Sequence, residues 1–360
     1  MKKVTSRLKS QRSTGRITLT DVGRAAGVSP STVSRALRGE RAVDPELVLR
    51  VLAVSEQLGY VPDPAARALA SQRSDHVTIL IPLLSNTLFV DLLEAAQRTL
   101  HKGGYQTLMG VTHYNPNEEE QLMREQLHHR PAGLLVTGLD HSLATQKLMA
   151  RSNVPCVHLM DLPNEAPDVE GTTLANSDAL VSSPYCVGFR QTDAGEAMTQ
   201  YLLAKGKKRI VFAAAQLDPR VMQRLWGWRK ALKQVERYDP SLEWLNPSPS
   251  SLALGGQMLE QIIKQHPDVD AIFFCNDDLA QGALLAAMRL GVSVPAKVAI
   301  AGFNDLTGSD QMWPPLTTVR TPRAQVGEAA AQMLLQLMRG EPAEVAQLDL
   351  GFEIISRQSA

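Results

Sequence analysis

Two arginines stand four residues apart in a helical stretch of the sequence, and a carboxylate follows a buried strand further along. Arg220 and Arg224 lie in DPRVMQRLWGW, one helical turn apart, so both guanidinium groups can project from one face. Two converging arginines suit a carboxylate-bearing ligand, because each can bind a carboxylate through two parallel hydrogen bonds. Asp277, in FCNDDLAQGALLA, follows a strand and begins a helix, where it could accept bonds from ligand hydroxyls or cap the helix. The indicated chemistry is recognition of a small anionic molecule.

Motifs for catalysis and metal binding are absent from the sequence. It contains no phosphate loop, no GxSxG, no HExxH and no Cys–His pair at a known spacing. The adjacent Asp277 and Asp278 diverge in direction, whereas glycosidic acid–base chemistry needs two carboxyl groups that face one bond. The three cysteines fit neither a disulfide framework nor a zinc site, and we expect buried free thiols; they are Cys156, Cys186 and Cys275. We therefore predict that the chain is not an enzyme and holds no metal or cofactor.

Strands and amphipathic helices alternate from His76 onward, beginning with the strand HVTILIPLL and the helix FVDLLEAAQRTLHKGG. This alternation is typical of parallel α/β sheets, which bind ligands at the carboxyl ends of their strands. About 285 residues exceed a usual single core, so we expect two lobes with a ligand cleft between them.

The charge of the chain is unevenly distributed. Residues 1–73 contain 13 Lys+Arg against 6 Asp+Glu, while the remainder contains 24 against 31, although the net charge is zero. A basic head on an acidic body is expected when only the head contacts a polyanion. No apolar segment follows the basic residues of the first 16 positions, and no apolar run approaches the ~20 residues that span a bilayer. We expect a cytoplasmic protein.

The stretch LTDVGRAAGVSPSTVSRAL predicts two short helices joined by a tight turn. Gly27 ends the first helix, because glycine enters the left-handed conformation at little cost. Ser29 caps the second helix and Pro30 opens it. A third helix follows between Asp44 and Gly59. The exposed end of the second helix carries small polar residues and one arginine, which suits the major groove of DNA.

The runs TLTDVGRAAGVSPSTVSRALRG and LGYVPDPAARALAS closely resemble the DNA-binding head and hinge of the lactose-repressor (LacI/GalR) family. The resemblance implies a hinge helix that folds only on operator DNA, with Leu69 wedged into the minor groove. It assigns base contacts to Pro30, Ser31 and Arg35, and phosphate contacts to Ser29, Thr32 and Ser34. It also assigns DNA contacts to Thr18 and Ala66. Alternatively, Arg35 is an ordinary surface arginine and Leu69 packs against the body. The family usually has alanine where this chain has Gly23, and a mid-helix glycine costs about 1 kcal/mol.

The resemblance extends over the body and implies a periplasmic-binding-protein-like type I core of two Rossmann-like lobes. Three crossings between the lobes are expected near Gly188–Arg190, Phe303–Asn304 and Thr321–Arg323. The predicted organisation is a flexible basic tail (1–16), a small all-α helix-turn-helix domain (17–60), a hinge (61–74) and an effector-binding and dimerisation core (75–360). Within the core we expect one lobe from about 75–188 and 304–320, and a second from about 190–302 and 323–356.

The resemblance also assigns effector contacts. The motifs CNDDLA and QRLWGW carry them onto Asp277 and Arg224, and NTLFVDLLEA carries them onto Leu88 and Phe89. Further candidates follow from position in the sequence. Arg220 lies one helical turn before Arg224, Asp161 ends a strand, and Ser250 and Ser251 lie in a loop that should return to the cleft. Motifs such as VHLMD, LDPR, TPR and LDLGF are most similar to the gluconate and ketogluconate regulators of the family.

We therefore expect a homodimeric, sequence-specific repressor that leaves a near-palindromic operator when a sugar acid binds. Two heads match a two-fold operator, whereas one small head buries too little surface for a tight site. The alternatives are a neutral sugar or purine effector, or a ligand that acts as corepressor. Two other classes are a sugar-binding protein whose head serves another partner, and a sugar-acid enzyme. The segment 162–185 is longer than the family usually has, and it either covers the cleft or is solvated.

Overall fold

The N-terminal part of the chain forms a compact three-helix unit. In the computed structural model, which describes residues 17–37, 43–61, 74–84, 87–163 and 184–360, contacts divide the chain into Met1–Ser74 and Asp75–Ala360. The helices of the first unit are α1 (Leu19–Ala26), α2 (Pro30–Leu37) and α3 (Pro45–Leu58). The predicted tail and nearly all of the predicted hinge, including Ala66 and Leu69, lie outside the described residues.

Buried apolar residues from all three helices make the core of this unit. Val22, Val33 and Val51 are fully buried and pack together. Gly23 is buried as well, and a Cβ added there would lie 2.7 Å from the carbonyl oxygen of Val28. The glycine therefore allows the turn before α2 to pack closely on α1, which the sequence had indicated only as a local weakness of the helix.

The second unit contains two six-stranded sheets, as the alternating pattern predicts. The first sheet has the order β11-β5-β4-β3-β1-β2, and the second has the order β12-β10-β9-β8-β6-β7. All neighbouring strands of both sheets are parallel except β10 and β12. The strands are β1 (His76–Ile81), β2 (Gln106–Val111), β3 (Gly133–Thr137), β4 (Cys156–Leu159), β5 (Cys186–Gly188), β6 (Ile210–Ala215), β7 (Glu243–Asn246), β8 (Ala271–Phe274), β9 (Ala299–Asn304), β10 (Thr317–Arg320), β11 (Gln347–Asp349) and β12 (Glu353–Ile355).

Helices connect the strands within each sheet. They are α4 (Leu88–Lys102), α5 (Pro116–His128), α6 (Leu143–Ser152), α7 (Gln191–Ala204), α8 (Pro219–Gln234), α9 (Leu252–Gln265), α10 (Asp277–Leu290) and α11 (Arg323–Met338). No helix in the described ranges is both long and apolar enough to cross a membrane. The predicted fold class is confirmed, with a small helical head and two α/β lobes.

The predicted division of the C-terminal region between the lobes is wrong. The chain does not leave the second lobe at Phe303–Asn304, because β10 pairs with β9 and keeps 304–320 in the second sheet. The chain crosses at the expected position after Thr321, but towards the first lobe, because α11 packs on α4. Strand β11 then pairs with β5, and β12 returns to pair with β10 of the second sheet. The segment 323–349 therefore belongs to the first lobe rather than the second.

Two helices of the second lobe, α7 and α8, approach each other closely through glycines. A Cβ added at Gly227 of α8 would overlap the carbonyl oxygen of Thr192, and one added at Gly195 of α7 would overlap that of Arg224. Backbone atoms cannot move aside as the end of a side chain can, so both positions require glycine for the observed spacing. This packing fixes the part of α8 that carries Arg224.

Substituting Gly227→Ala should lower the free energy of unfolding by about 1–3 kcal/mol or more, because the methyl group must separate α7 from α8. Chemical denaturation monitored by circular dichroism would measure the change. Gly256→Ala is the matched control in the middle of α9, where the nearest atom to an added Cβ is 3.3 Å away; its effect should stay within about 1 kcal/mol. Equal stability of the two variants would contradict the close-packing argument.

Candidate functional site

A cavity opens at the carboxyl ends of the second sheet, the edge at which parallel sheets bind ligands. Four of the sheet's strands supply its wall through residues at or just beyond their ends: Ala215 and Gln216 (β6), Ser250 (β7), Asn276 (β8) and Asn304 (β9). Helix α8 and the loop before it add Asp218, Arg220, Val221 and Arg224. The first lobe contributes Leu88 and Tyr114 from the opposite side. We call this space the first cavity.

A second cavity adjoins it at the carboxyl ends of the first sheet. Its lining from the first lobe is Pro82, Thr112, Tyr114, Glu119, Thr137, Gly138 and Asp161. The second lobe closes it with Asp218, Pro219 and Arg220, so Tyr114, Asp218 and Arg220 are shared by both cavities. Together the two cavities form the cleft between the lobes that the sequence predicts.

Arg220 forms a bridge between the two lobes. Its Nε donates to Asp218 Oδ1 over 3.3 Å, and its Nη2 donates to the hydroxyl of Tyr114 over 3.1 Å. Tyr114 belongs to the first lobe, and burial raises the pKa of its hydroxyl to about 12. The tyrosine is therefore a neutral hydroxyl that accepts from Arg220 and keeps its own hydrogen for a second partner.

Arg224 is buried with neutral partners only. It is 5% exposed, its Nε donates to Gln191 Oε1 over 2.8 Å, and its Nη1 donates to the carbonyl oxygen of Cys275 over 2.6 Å. The guanidinium lies 3.8 Å from the ring centre of Phe303. Burial lowers the pKa of Arg224 to about 10, which still leaves it charged at neutral pH. Among the described residues, no carboxylate comes within 4.0 Å of it. An uncompensated buried cation at a cavity wall favours an anionic ligand.

Asp161 is the buried carboxylate of the second cavity. It is 2% exposed, accepts from the backbone N–H of Leu162 over 3.0 Å, and accepts from Gln223 Nε2 over 3.4 Å. Burial raises the pKa of this carboxyl to about 6, although the charge of Arg220 acts in the opposite direction. The carboxylate remains able to accept hydrogen bonds from hydroxyl groups in the cavity.

Five of the eight predicted effector residues line a cavity. Leu88, Arg220, Arg224 and Ser250 line the first, and Asp161 lines the second.

The other three predicted residues lie away from both cavities. Phe89 is buried in the core, and Ser251 caps α9 by accepting from the N–H of Leu254. Asp277 is fully buried, and its carboxylate accepts from the N–H of Leu306 (2.6 Å) and from two hydroxyls. Those hydroxyls belong to Ser309 and Thr318, at 2.9 and 2.7 Å. Its oxygens are thus engaged within the second lobe. Helix α10 is capped by Asn276, so the capping alternative for Asp277 is wrong.

Sequence reasoning missed several residues of the first cavity. Asn276 and Asn304 stand at the ends of β8 and β9, so the rule that identified Asp161 would also have identified them. Tyr114 follows β2 in the left-handed conformation (φ 55°), and no sequence pattern indicates that it crosses towards Arg220. Within the described ranges, no three His, Cys, Asp or Glu side chains cluster as metal ligands would.

The predicted DNA-contact residues of the helical head are partly engaged in capping. Thr18 caps α1 and exchanges hydrogen bonds with Asp21 in a capping box. The hydroxyl of Ser29 accepts from the N–H of Thr32 over 3.1 Å and lies 2.8 Å from the hydroxyl of Ser31. Of the other candidates on α2, Pro30, Ser31 and Arg35 are exposed, and Thr32 and Ser34 are half-buried.

Comparisons with known proteins agree with this architecture. Residues 18–63 match the bacterial regulatory proteins of the lacI family, and residues 199–360 match a periplasmic binding protein-like domain. The chain is 47% identical over 356 residues to the HTH-type transcriptional regulator GntR of Pseudomonas aeruginosa, covering 99% of both proteins. The structure of the transcription regulator GntR from Chromobacterium violaceum is 45% identical, with a TM-score of 0.72 over 79% of this chain and 98% of that one. A LacI family regulator from Silicibacter pomeroyi is 31% identical, with a TM-score of 0.83 over 95% and 99%.

The stability of the protein should depend on the ionisation of Asp161. Its pKa of about 6 in the folded protein exceeds the ordinary value of 3.8, so the folded state binds this proton more tightly than the unfolded chain does. The resulting stabilisation is complete below pH 4 and is lost as the pH rises through 6, by up to about 3 kcal/mol. As the pH rises from 4 to 7, the free energy of unfolding of Asp161→Asn should therefore increase relative to that of the wild type. Asp140→Asn, at an exposed loop position, is the control for the loss of one charge. A constant difference across that range would contradict the raised pKa.

Proposed function

This chain belongs to the LacI family of bacterial regulatory proteins, and we propose that it represses transcription until a sugar acid of the gluconate or ketogluconate type binds between its lobes. As a member of the family it is a DNA-binding transcription regulator and not an enzyme. The proposed protein is a cytoplasmic homodimer that holds a near-palindromic operator with two copies of its helical head.

The buried charge of Arg224 is the observation that carries the choice of a sugar acid. A neutral sugar or a purine would leave this cation without an anion, whereas a carboxylate would meet the unused N–H groups of the guanidinium. Arg220 already has Asp218 as its counter-charge. Two arginines of the first cavity therefore face one carboxylate, that of Asp218, and the remaining positive charge matches a ligand with one carboxylate.

The remaining polar groups suit the hydroxylated part of such a ligand. Ser250 and Asn276 are hydrogen-bonded to each other at the wall of the first cavity, and Asn304 faces them from β9. Asp161 supplies an acceptor on the first lobe. Amide and hydroxyl groups both donate and accept, so they can pair with sugar hydroxyls in either direction.

For the DNA, we infer that the exposed side of α2 enters the major groove. Pro30, Ser31 and Arg35 would contact bases, and Ser29, Thr32 and Ser34 would hold phosphates together with Thr18. Ala66 and Leu69 of the hinge would reach the minor groove. Support comes from the exposure of Pro30, Ser31 and Arg35, whereas Val33 and Ala36 of the same helix are buried.

We infer that the coupling between the two sites is a shift in population. A sugar acid that contacts both lobes favours the arrangement in which they are closed, and that arrangement disfavours the hinge geometry of the DNA-bound dimer. The differential affinity of the ligand for the two arrangements sets the size of the response.

A thermal-shift screen of sugar acids tests the effector class. D-gluconate or 2-keto-D-gluconate at 100 times its Kd should stabilise the wild type by about 2.7 kcal/mol. Arg224→Ala should abolish that shift because it removes the carboxylate partner. Lys230→Ala is the matched control, since Lys230 lies on the same helix as Arg224, pairs with Glu196 of α7 and lines neither cavity. Stabilisation by neutral sugars or purines alone would refute the sugar-acid proposal.

The role of α2 is testable by binding to a palindromic operator duplex. Arg35→Ala should weaken specific binding by about tenfold to a hundredfold, since one good base contact contributes about 1–3 kcal/mol of discrimination. Arg98→Ala removes an exposed arginine of α4, which pairs with Glu94 on the surface of the second unit, and should leave operator affinity unchanged. Fluorescence anisotropy at several salt concentrations would separate this loss from a general electrostatic effect. Unaltered discrimination between operator and random duplex in Arg35→Ala would exclude the base contact.

A further inference from the structure

Two buried histidines stand behind one carboxylate of the second cavity. Glu119 belongs to the first turn of α5 and lines that cavity, with its side chain 14% exposed. His141 Nδ1 lies 2.9 Å from Glu119 Oε1, and His141 Nε2 lies 3.3 Å from His158 Nδ1. Both imidazoles are buried, with residue exposures of 7% and 2%. Nothing in the sequence motifs indicated this arrangement.

Hydrogen bonds hold the two imidazoles behind Glu119. The carbonyl oxygen of Gly138 lies 3.0 Å from His158 Nδ1 and can only accept, so this nitrogen carries a hydrogen. The same carbonyl oxygen lies 3.2 Å from His141 Nε2, so it contacts both imidazoles. A carboxylate only accepts, so His141 Nδ1 donates to Glu119. The hydrogen bond from His141 holds Oε1 of Glu119 in place. Among the described residues, no donor reaches the other oxygen, Oε2.

The polarity of the cleft determines which part of a ligand meets Glu119. The uncompensated cation, Arg224, lies in the first cavity, whereas the second cavity presents the carboxylates of Glu119 and Asp161. A sugar acid with its carboxylate on Arg224 therefore extends its hydroxylated chain across Tyr114 towards the first lobe. An ionised carboxylate only accepts hydrogen bonds, so the group that it contacts must be a donor such as a hydroxyl.

We propose that Glu119 accepts a hydrogen bond from a distal hydroxyl of the bound sugar acid, and that His141 and His158 hold its carboxylate in position for that contact. The inference rests on the proposed effector class and adds a residue that determines chain length and hydroxylation. Anchoring Oε1 removes rotamer freedom before the ligand arrives, so less entropy is lost on binding.

Isothermal titration calorimetry of the full-length protein with D-gluconate tests the contact. Glu119→Ala should weaken gluconate binding by about tenfold to a hundredfold, the range expected for a hydrogen bond to a charged group. Glu119→Gln keeps the shape of the side chain with a neutral acceptor, and its affinity for gluconate should fall about threefold to tenfold. This variant tests the contact even if the alanine variant fails to fold. Glu120→Ala is the control, because Glu120 is the next residue of the helix and pairs with Arg124 outside the cavity.

Two further measurements separate a positioning role of the histidines from a structural one. His141→Ala should weaken gluconate binding about threefold to tenfold, and the double variant Glu119→Ala/His141→Ala should bind no more weakly than Glu119→Ala alone. D-glycerate, which has the carboxylate but lacks the distal hydroxyls, should compete equally well for the wild type and for Glu119→Ala. Wild-type gluconate affinity in both Glu119 variants would overturn the inference and leave the proposed function intact. A wild type that binds no sugar acid would overturn both.

Discussion

The site depends on one buried positive charge that the described protein residues leave unbalanced. Moving a guanidinium from water into a protein interior is unfavourable unless an anion accompanies it. The contacts of Arg224 offset only part of this unfavourable free energy. They are the side-chain oxygen of Gln191, the carbonyl oxygen of Cys275 and the ring of Phe303. In the proposed complex a ligand carboxylate would supply the missing charge. Part of the free energy of ligand binding would then come from the unfavourable burial of this cation in the ligand-free protein.

The contacts of the two arginines also join the lobes. Gln191 accepts from Arg224 of the second lobe and donates through its Nε2 to the carbonyl oxygen of Met160 in the first, over 2.9 Å. Arg220 reaches the first lobe directly through Tyr114. Any group that rearranges either guanidinium therefore acts on a contact between the lobes. Recognition of the ligand and the relative position of the lobes share the same hydrogen bonds, which is the physical requirement for a conformational response.

Sequence reasoning succeeded where local rules determine position and failed where long-range packing does. Helical spacing placed Arg220 and Arg224 on one side of α8, and the strand-end rule placed Asp161 in the cleft. Asp277 obeys the same strand-end rule, yet three donors from residues 306–318 surround its carboxylate and turn it inwards. These donors are 29 to 41 positions away along the chain, so no local pattern reveals them.

The wrong division of the lobes has the same origin, and it changes how the C-terminal region acts on the site. Because α11 belongs to the first lobe, Arg323 at its start reaches across to the second. Its Nη2 pairs with Asp91 of α4 over 2.8 Å, and its Nη1 donates to the carbonyl oxygen of Asn304, a residue of the first cavity. Asn304 itself has φ 109°, a conformation unfavourable for a residue with a side chain and therefore one that its surroundings must hold. The crossing at residues 321–323 therefore connects Asn304, at the wall of the first cavity, to α4 of the first lobe through the side chain of Arg323.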